Sequence, residues 1–141
     1  MKKKISARLA GIIEALPLHP GMRVLEIGCG PGVAARAMVS RMGTGYVLGI
    51  DRSAKAIAQA IAGSAPEIAS GRLEFRCISI EDFVLDKGEA RFDIALAVRV
   101  GALDGRHPDA GRVALERIRD ALVNGGHLYM DGGNPLTVIA L

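Results

Sequence analysis

Apolar positions along the chain follow two alternating periods, one helical and one extended. Ile5, Leu9, Ile12, Ile13 and Leu16 recur at helical spacing with polar residues between them, which predicts an amphipathic helix covering the domain. Pro17 to Gly21 (PLHPG) is a breaker cluster leading into a first strand, Arg23 to Ile27. Val33 to Met42 (VAARAMVSRM) has helical composition, Gly43-Thr44-Gly45 makes a turn, and Tyr46 to Ile50 (YVLGI) reads as a second strand ending at Asp51. Ser53 is placed to cap a helix over Ala54 to Ala62. Gly63 to Gly71 contains a proline and small breakers and is read as at least partly loop.

Leu73 to Ile78 (LEFRCI) predicts a third strand, followed by a short Glu81-Asp82-Phe83 segment and a Lys87-Gly88 turn. Phe92 to Val98 (FDIALAV) is a near-continuous apolar run, as expected of a strand buried on both faces. Gly101 to Pro108 reads as a loop, Asp109 to Leu122 as a helix and Asn124-Gly125-Gly126 as a turn. A fifth strand then starts over His127 to Met130. With no internal repeat or linker, residues 1–141 are expected to form a single domain. Strands alternating with helices predict an α/β fold, a mostly parallel sheet of about five strands with helices on both faces. Right-handed crossovers then place a ligand crevice at the carboxyl ends of the strands.

Composition narrows the classes. Half the residues are hydrophobic and 23% are charged, which fits a globular protein. A net charge of +3, with three Phe, two Tyr and no Trp, gives little to stack nucleic-acid bases on, so nucleic acid is not an expected partner. The basic start MKKK invites a signal-peptide reading, but Arg8 and Glu14 interrupt any apolar core, and no stretch reaches the length of a membrane span. A cytoplasmic protein without membrane association is expected. The two cysteines and three histidines have neither metal-ligand nor disulfide-framework spacing, so no metal site is expected. Cys29 and Cys77 are read as buried, reduced thiols.

The candidate chemistry lies in residues 24 to 32, VLEIGCGPG. Gly28, Gly30 and Gly32 stand at alternate positions between a strand and a helix, with Cys29 inside the loop. Such a loop can turn sharply and let a nucleotide-like ligand lie against its backbone. The dinucleotide fingerprint is G-x-G-x-x-G, whereas here the third glycine comes one residue early and position 33 is valine. Glu26, two residues before the first glycine, would repel a pyrophosphate and suit an ammonium group. It can also accept N–H bonds from the loop, and the two roles are compatible. Asp51, 19 residues after Gly32, can accept hydrogen bonds from two ribose hydroxyls or cap the next helix. The spacing and Glu26 together disfavour an NAD-dependent oxidoreductase.

The pattern E-x-G-x-G-x-G after a hydrophobic strand resembles the first motif of the class I S-adenosylmethionine-dependent methyltransferases. GIDRSAKAIAQA resembles their acid-ended second strand, EFRCISIEDF their third strand and following turn, and FDIALAV and LERIRDALVNGGHLYMDGG their later elements. The likeness covers about residues 5 to 133. It implies a Rossmann-like fold and S-adenosyl-L-methionine as cofactor. The implied contacts are Glu26, Gly28, Cys29, Gly30, Gly32, Asp51, Arg52, Ser79, Ile80, Glu81 and Val98. Ser79 stands where the family often has an adenine-contacting Asp, with Ile80 offering its N–H to the base and Glu81 and Asp82 available to the amino group. The implied activity is methyl transfer to a small-molecule acceptor. A non-catalytic cofactor-binding or interaction module is the alternative.

Family members continue past strand five with a helix and an antiparallel hairpin, whereas this chain stops eight residues after Gly133. The expectation is a shortened sheet lacking the hairpin, with strand five as an edge open to homodimerisation. The apolar segment Leu136 to Leu141 (LTVIAL) can form a short strand or a helical cover. Methyl transfer needs alignment above all, so no catalytic residue is assigned. A hydroxyl or amine acceptor would require a base, for which Asp104 and His107 in the loop after strand four are candidates. Arg99 can attract an anionic acceptor or pair with Asp104.

Overall fold

The computed structural model describes residues 4–141, so Lys2 and Lys3 of the basic start lie outside it. In chain order the elements are α1 (Ala7–Ala15), β1 (Arg23–Ile27), α2 (Val33–Met42), β2 (Tyr46–Asp51), α3 (Ala54–Ala62), α4 (Ala65–Ala69), β3 (Leu73–Cys77), β4 (Phe92–Ala97), α5 (Pro108–Ala121), β5 (Leu122–Asp131) and β6 (Leu136–Ala140). Short 3₁₀ turns at Ile80–Asp82 and Gly101–Leu103 follow β3 and β4. Hydroxyl caps start two of the helices, because each satisfies an amide that the helix leaves without a partner. Ser6 accepts from the Leu9 N–H at 3.2 Å, and Ser53 accepts from the Ala56 N–H at 3.1 Å.

The strands make one sheet in the order β3-β2-β1-β4-β5-β6, parallel except for the last pair. Strand period sorts the side chains onto two faces. Val24, Val47, Leu73, Phe75, Ile94 and Leu96 pack with residues of α1, α2 and α3 on one side. Leu25, Ile27, Leu48, Ile50, Ala95 and Ala97 pack with Ala114, Ile118 and Ala121 of α5 and with Phe83 on the other. Val24 and Leu25 are fully buried on opposite faces, each stabilising the fold by roughly 1.5–3 kcal/mol relative to exposure. The order reverses between β1 and β4, so the loop leaving β1 stands at the switch point where such sheets bind ligands. Among the described residues no helix is long and apolar enough to cross a membrane.

Several sequence expectations change. The sheet has six strands, and the final apolar segment forms β6, paired antiparallel with β5 from His127↔Ala140 to Asp131↔Leu136. A hairpin is therefore present. The strand-five edge expected to be open to a second copy is occupied, its backbone groups being satisfied by β6, and dimerisation through it is withdrawn. The turn residues Asn124 to Gly126 lie inside β5, where the register with β4 shifts between Phe92↔Leu122 and Ile94↔His127 and Gly125 takes φ +81°. The ladder is interrupted there, with five positions of β5 against two of β4, and the glycines give the backbone freedom that a turn also needs. Residues 65–69 are helical with Pro66 in the first turn, where its missing N–H costs nothing. Cys29 is buried as expected, but Cys77 is exposed, because β3 lies at the sheet edge.

Candidate functional site

The site begins with the turn off β1. Gly28, Gly30 and Gly32 all take positive φ, at +72°, +54° and +88°, where any other residue is strained by roughly 1–2 kcal/mol. The Gly28 and Cys29 N–H groups donate to the Ile50 carbonyl at 2.9 and 3.0 Å, stitching the loop to the end of β2. A Cβ at Gly32 would stand 2.9 Å from Phe75 and 3.0 Å from the Arg36 guanidinium, so glycine there lets α2 start hard against β3. A Cβ at Gly30 would meet nothing within 4 Å, so this backbone faces open space that a ligand can enter. Arg36 braces the loop from α2, donating to the Pro31 carbonyl at 3.0 Å and to the buried Ser64 hydroxyl at 2.9 Å.

Asp51 joins the loop to the second strand. Its Oδ2 accepts the Gly30 N–H at 2.9 Å and its Oδ1 the Ser53 N–H at 2.9 Å. The cap of α3 is Ser53, so Asp51 is a buckle across the mouth of the loop instead of a helix cap. A carboxylate has roughly four lone-pair sites, so two remain for ribose hydroxyls. Glu26 lies beneath, 4% exposed, and its Oε1 has no hydrogen-bond partner among the described residues. The loop amides it was expected to hold go to Ile50, Asp51 and Cys29 instead. Burial, with the charge of Asp51 adding to it and Arg36 opposing, pushes the Glu26 carboxyl up to about 8. Burial likewise raises the Cys29 thiol, with Glu26 and Asp51 contributing, which leaves it inert near neutral pH.

A cavity of about 500 Å³ opens at the carboxyl ends of β1 to β4. It falls within the roughly 300–1,000 Å³ usual for small-molecule sites. Gly28, Asp51, Arg52, Ser79, Ile80 and Glu81 line it, together with Arg99 and His107. Glu26, Cys29, Gly30, Gly32 and Val98 are not in its wall. Glu26 is buried beneath the loop, Cys29 and Gly32 are buried within it, Gly30 is part-exposed, and Val98 packs on the sheet face that carries α2. Ser79 gives its hydroxyl proton to Asp82 at 3.1 Å, which leaves its oxygen lone pairs free to accept. Ile80 is buried in the core on the α5 side and closes the cavity wall from there.

The loop after β4 departs from expectation at one pair. Asp104 bonds Arg106 at 2.7 and 2.6 Å, so it does not pair with Arg99. Arg106 also lines the cavity and was missed in the sequence, where it is one more polar residue in a loop. Arg36 was missed too. Its only signal was an arginine set between the alanines of α2. Among the described residues no group of three or more His, Cys, Asp or Glu side chains gathers into a metal-holding cluster.

Comparison with known proteins bears on this arrangement. Residues 24–126 match the family model described as "Methyltransferase domain". Trans-aconitate 2-methyltransferase of Streptomyces avermitilis is 36% identical over 69 residues, which are 49% of this chain and 25% of that protein. The solved S-adenosylmethionine-dependent methyltransferase of Geobacter sulfurreducens, in complex with S-adenosyl-L-homocysteine, superposes with a TM-score of 0.70 and 25% identity over 89% of this chain and 47% of its own. The cyclase SpnF has the same TM-score at 26% identity, over 86% of this chain and 42% of its own. The chain thus spans between a quarter and half of the length of these relatives. The matched segment runs from β1 through the glycine loop to the start of β5, and on that ground the chain belongs to the methyltransferase-domain family, the class I S-adenosylmethionine-dependent methyltransferases.

Proposed function

We propose that this domain binds S-adenosyl-L-methionine and directs its methyl group to a small-molecule acceptor. The observation that carries this reading is the loop of positive-φ glycines buckled to Asp51 beside the cavity. Asp51 accepts the ribose hydroxyls with its two remaining lone-pair sites, and the open face of Gly30 takes the amino acid end of the cofactor. Glu26 supplies negative charge beneath that end when it ionises. Gly28, Cys29 and Gly32 set the loop's path, Arg52 flanks the ribose, and Ser79, Ile80 and Glu81 frame the adenine. Val98 closes the end of β4. When bound, the cofactor supplies a methyl group on a positively charged sulfur. The chain's part is to align the two reactants and exclude water, which accounts for much of the acceleration in such transfers.

The name of the trans-aconitate relative supports a small-molecule acceptor. The cyclase neighbour favours a second reading, a cofactor-binding module with other chemistry or none. Incubation with methyl-labelled S-adenosyl-L-methionine and the small-molecule fraction of a cell extract separates them. Label in a low-mass product, dependent on the protein, is expected. Tight cofactor binding with no transferred label would favour the module.

A further inference from the structure

Arg99, two residues past the end of β4, takes φ +55°, the one positive φ among the described non-glycine residues. A residue with a side chain holds that conformation only where its surroundings impose it. Here the constraint is an acid. Asp131, at the end of β5, accepts the Arg99 N–H at 3.0 Å with Oδ1 and the Arg8 guanidinium at 2.9 Å with Oδ2. Burial opposes ionisation of Asp131, yet these two donors hold its carboxyl below the ordinary value. A charged hydrogen bond therefore fixes the backbone from which the Arg99 side chain reaches the cavity wall.

Charge in the cavity is unevenly matched. Its carboxylates, Asp51 and Glu81, come from the β2 and β3 ends. On the β4 side, Arg106 is neutralised by Asp104, but no carboxylate among the described residues pairs with the Arg99 guanidinium. A guanidinium presents a planar fork of donors that matches a carboxylate in two parallel bonds. A carboxylate acceptor also suits the chemistry available. It is ionised at neutral pH and needs no proton removed, while Asp104, one of two bases in the loop, is held by Arg106.

We propose that the methyl acceptor is a small carboxylic acid anchored by Arg99, an inference that rests on the cofactor-dependent transfer proposed above. The test is calorimetric titration of propane-1,2,3-tricarboxylate into protein saturated with S-adenosyl-L-homocysteine, for the wild type, R99G and R99Q. Glycine relieves the left-handed backbone at 99, so R99G retains the fold, and glutamine keeps a long polar side chain without charge. Saturable binding to the wild type is expected, weakened about tenfold or more in both variants and falling with added salt. Affinity for S-adenosyl-L-homocysteine should stay the same in all three proteins. Equal tricarboxylate affinity in wild type and variants, or none in the loaded wild type, overturns the proposal. Failure of the wild type to bind S-adenosyl-L-homocysteine instead overturns the cofactor reading beneath it, and this inference with it.

Discussion

Replacing Glu26 with glutamine should make the protein more stable at pH 8 while changing little at pH 5. Glu26 is a buried acid whose carboxyl is pushed from 4.5 up to about 8, first by burial and then by the charge of Asp51, against the pull of Arg36. Below pH 4.5 it is protonated in both the folded and unfolded chain and has no net effect. Between 4.5 and about 8 the unfolded chain ionises while the folded one keeps its proton. Stability from this group then falls by about 1.4 kcal/mol per pH unit. Above 8 both states are ionised and the full penalty stands, on the order of 5 kcal/mol at most and about 2–5 kcal/mol after local relaxation. Glutamine has the same shape and no such proton. Urea denaturation of wild type and E26Q at pH 5, 6, 7 and 8, without cofactor, measures the difference directly. The wild type should lose stability relative to E26Q across that range. Parallel pH profiles, or a wild type that gains on the variant as pH rises, would refute the reasoning.

Asp51→Ala removes the acceptor for the Gly30 and Ser53 amides and for the ribose. With charged hydrogen bonds at about 1.5–3 kcal/mol each, S-adenosyl-L-homocysteine affinity should drop by about 30-fold or more in calorimetry. Gly32→Ala places a Cβ against Phe75 and Arg36 at φ +88°, so denaturation should register a loss of about 2–4 kcal/mol from strain and overpacking together. Gly30→Val has open space at its Cβ, so it should lose only about 1–2 kcal/mol of stability yet abolish cofactor binding. Reversed behaviour of these two glycines would mean that the open face of the loop is not the ligand face.

The strand and helix pattern was legible because each element carries its own period. Val24 and Leu25 must face opposite ways in a strand, and both found a core. The segment from Leu136 to Leu141 was not, because a run apolar but for Thr137 has no period to separate strand from helix. Asn124 to Gly126 misled for a related reason, since an interruption of the ladder within a strand and a turn need the same backbone freedom. In the site, the glycine spacing and Asp51 could be read from sequence, but the division of labour between them could not. The Gly30 amide bonds Asp51 across 21 positions, and the Glu26 Oε1 has no hydrogen-bond partner among the described residues. The exchange of Arg99 for Arg106 as the partner of Asp104 is likewise a matter of loop geometry.

Binding of the cofactor tests the central claim most directly. Calorimetric titration of the wild-type chain with S-adenosyl-L-homocysteine and, separately, with NAD should give one-to-one micromolar binding of the first and none of the second. Tight NAD binding with no response to S-adenosyl-L-homocysteine would contradict the account, since Glu26 and the early third glycine would then have been misread.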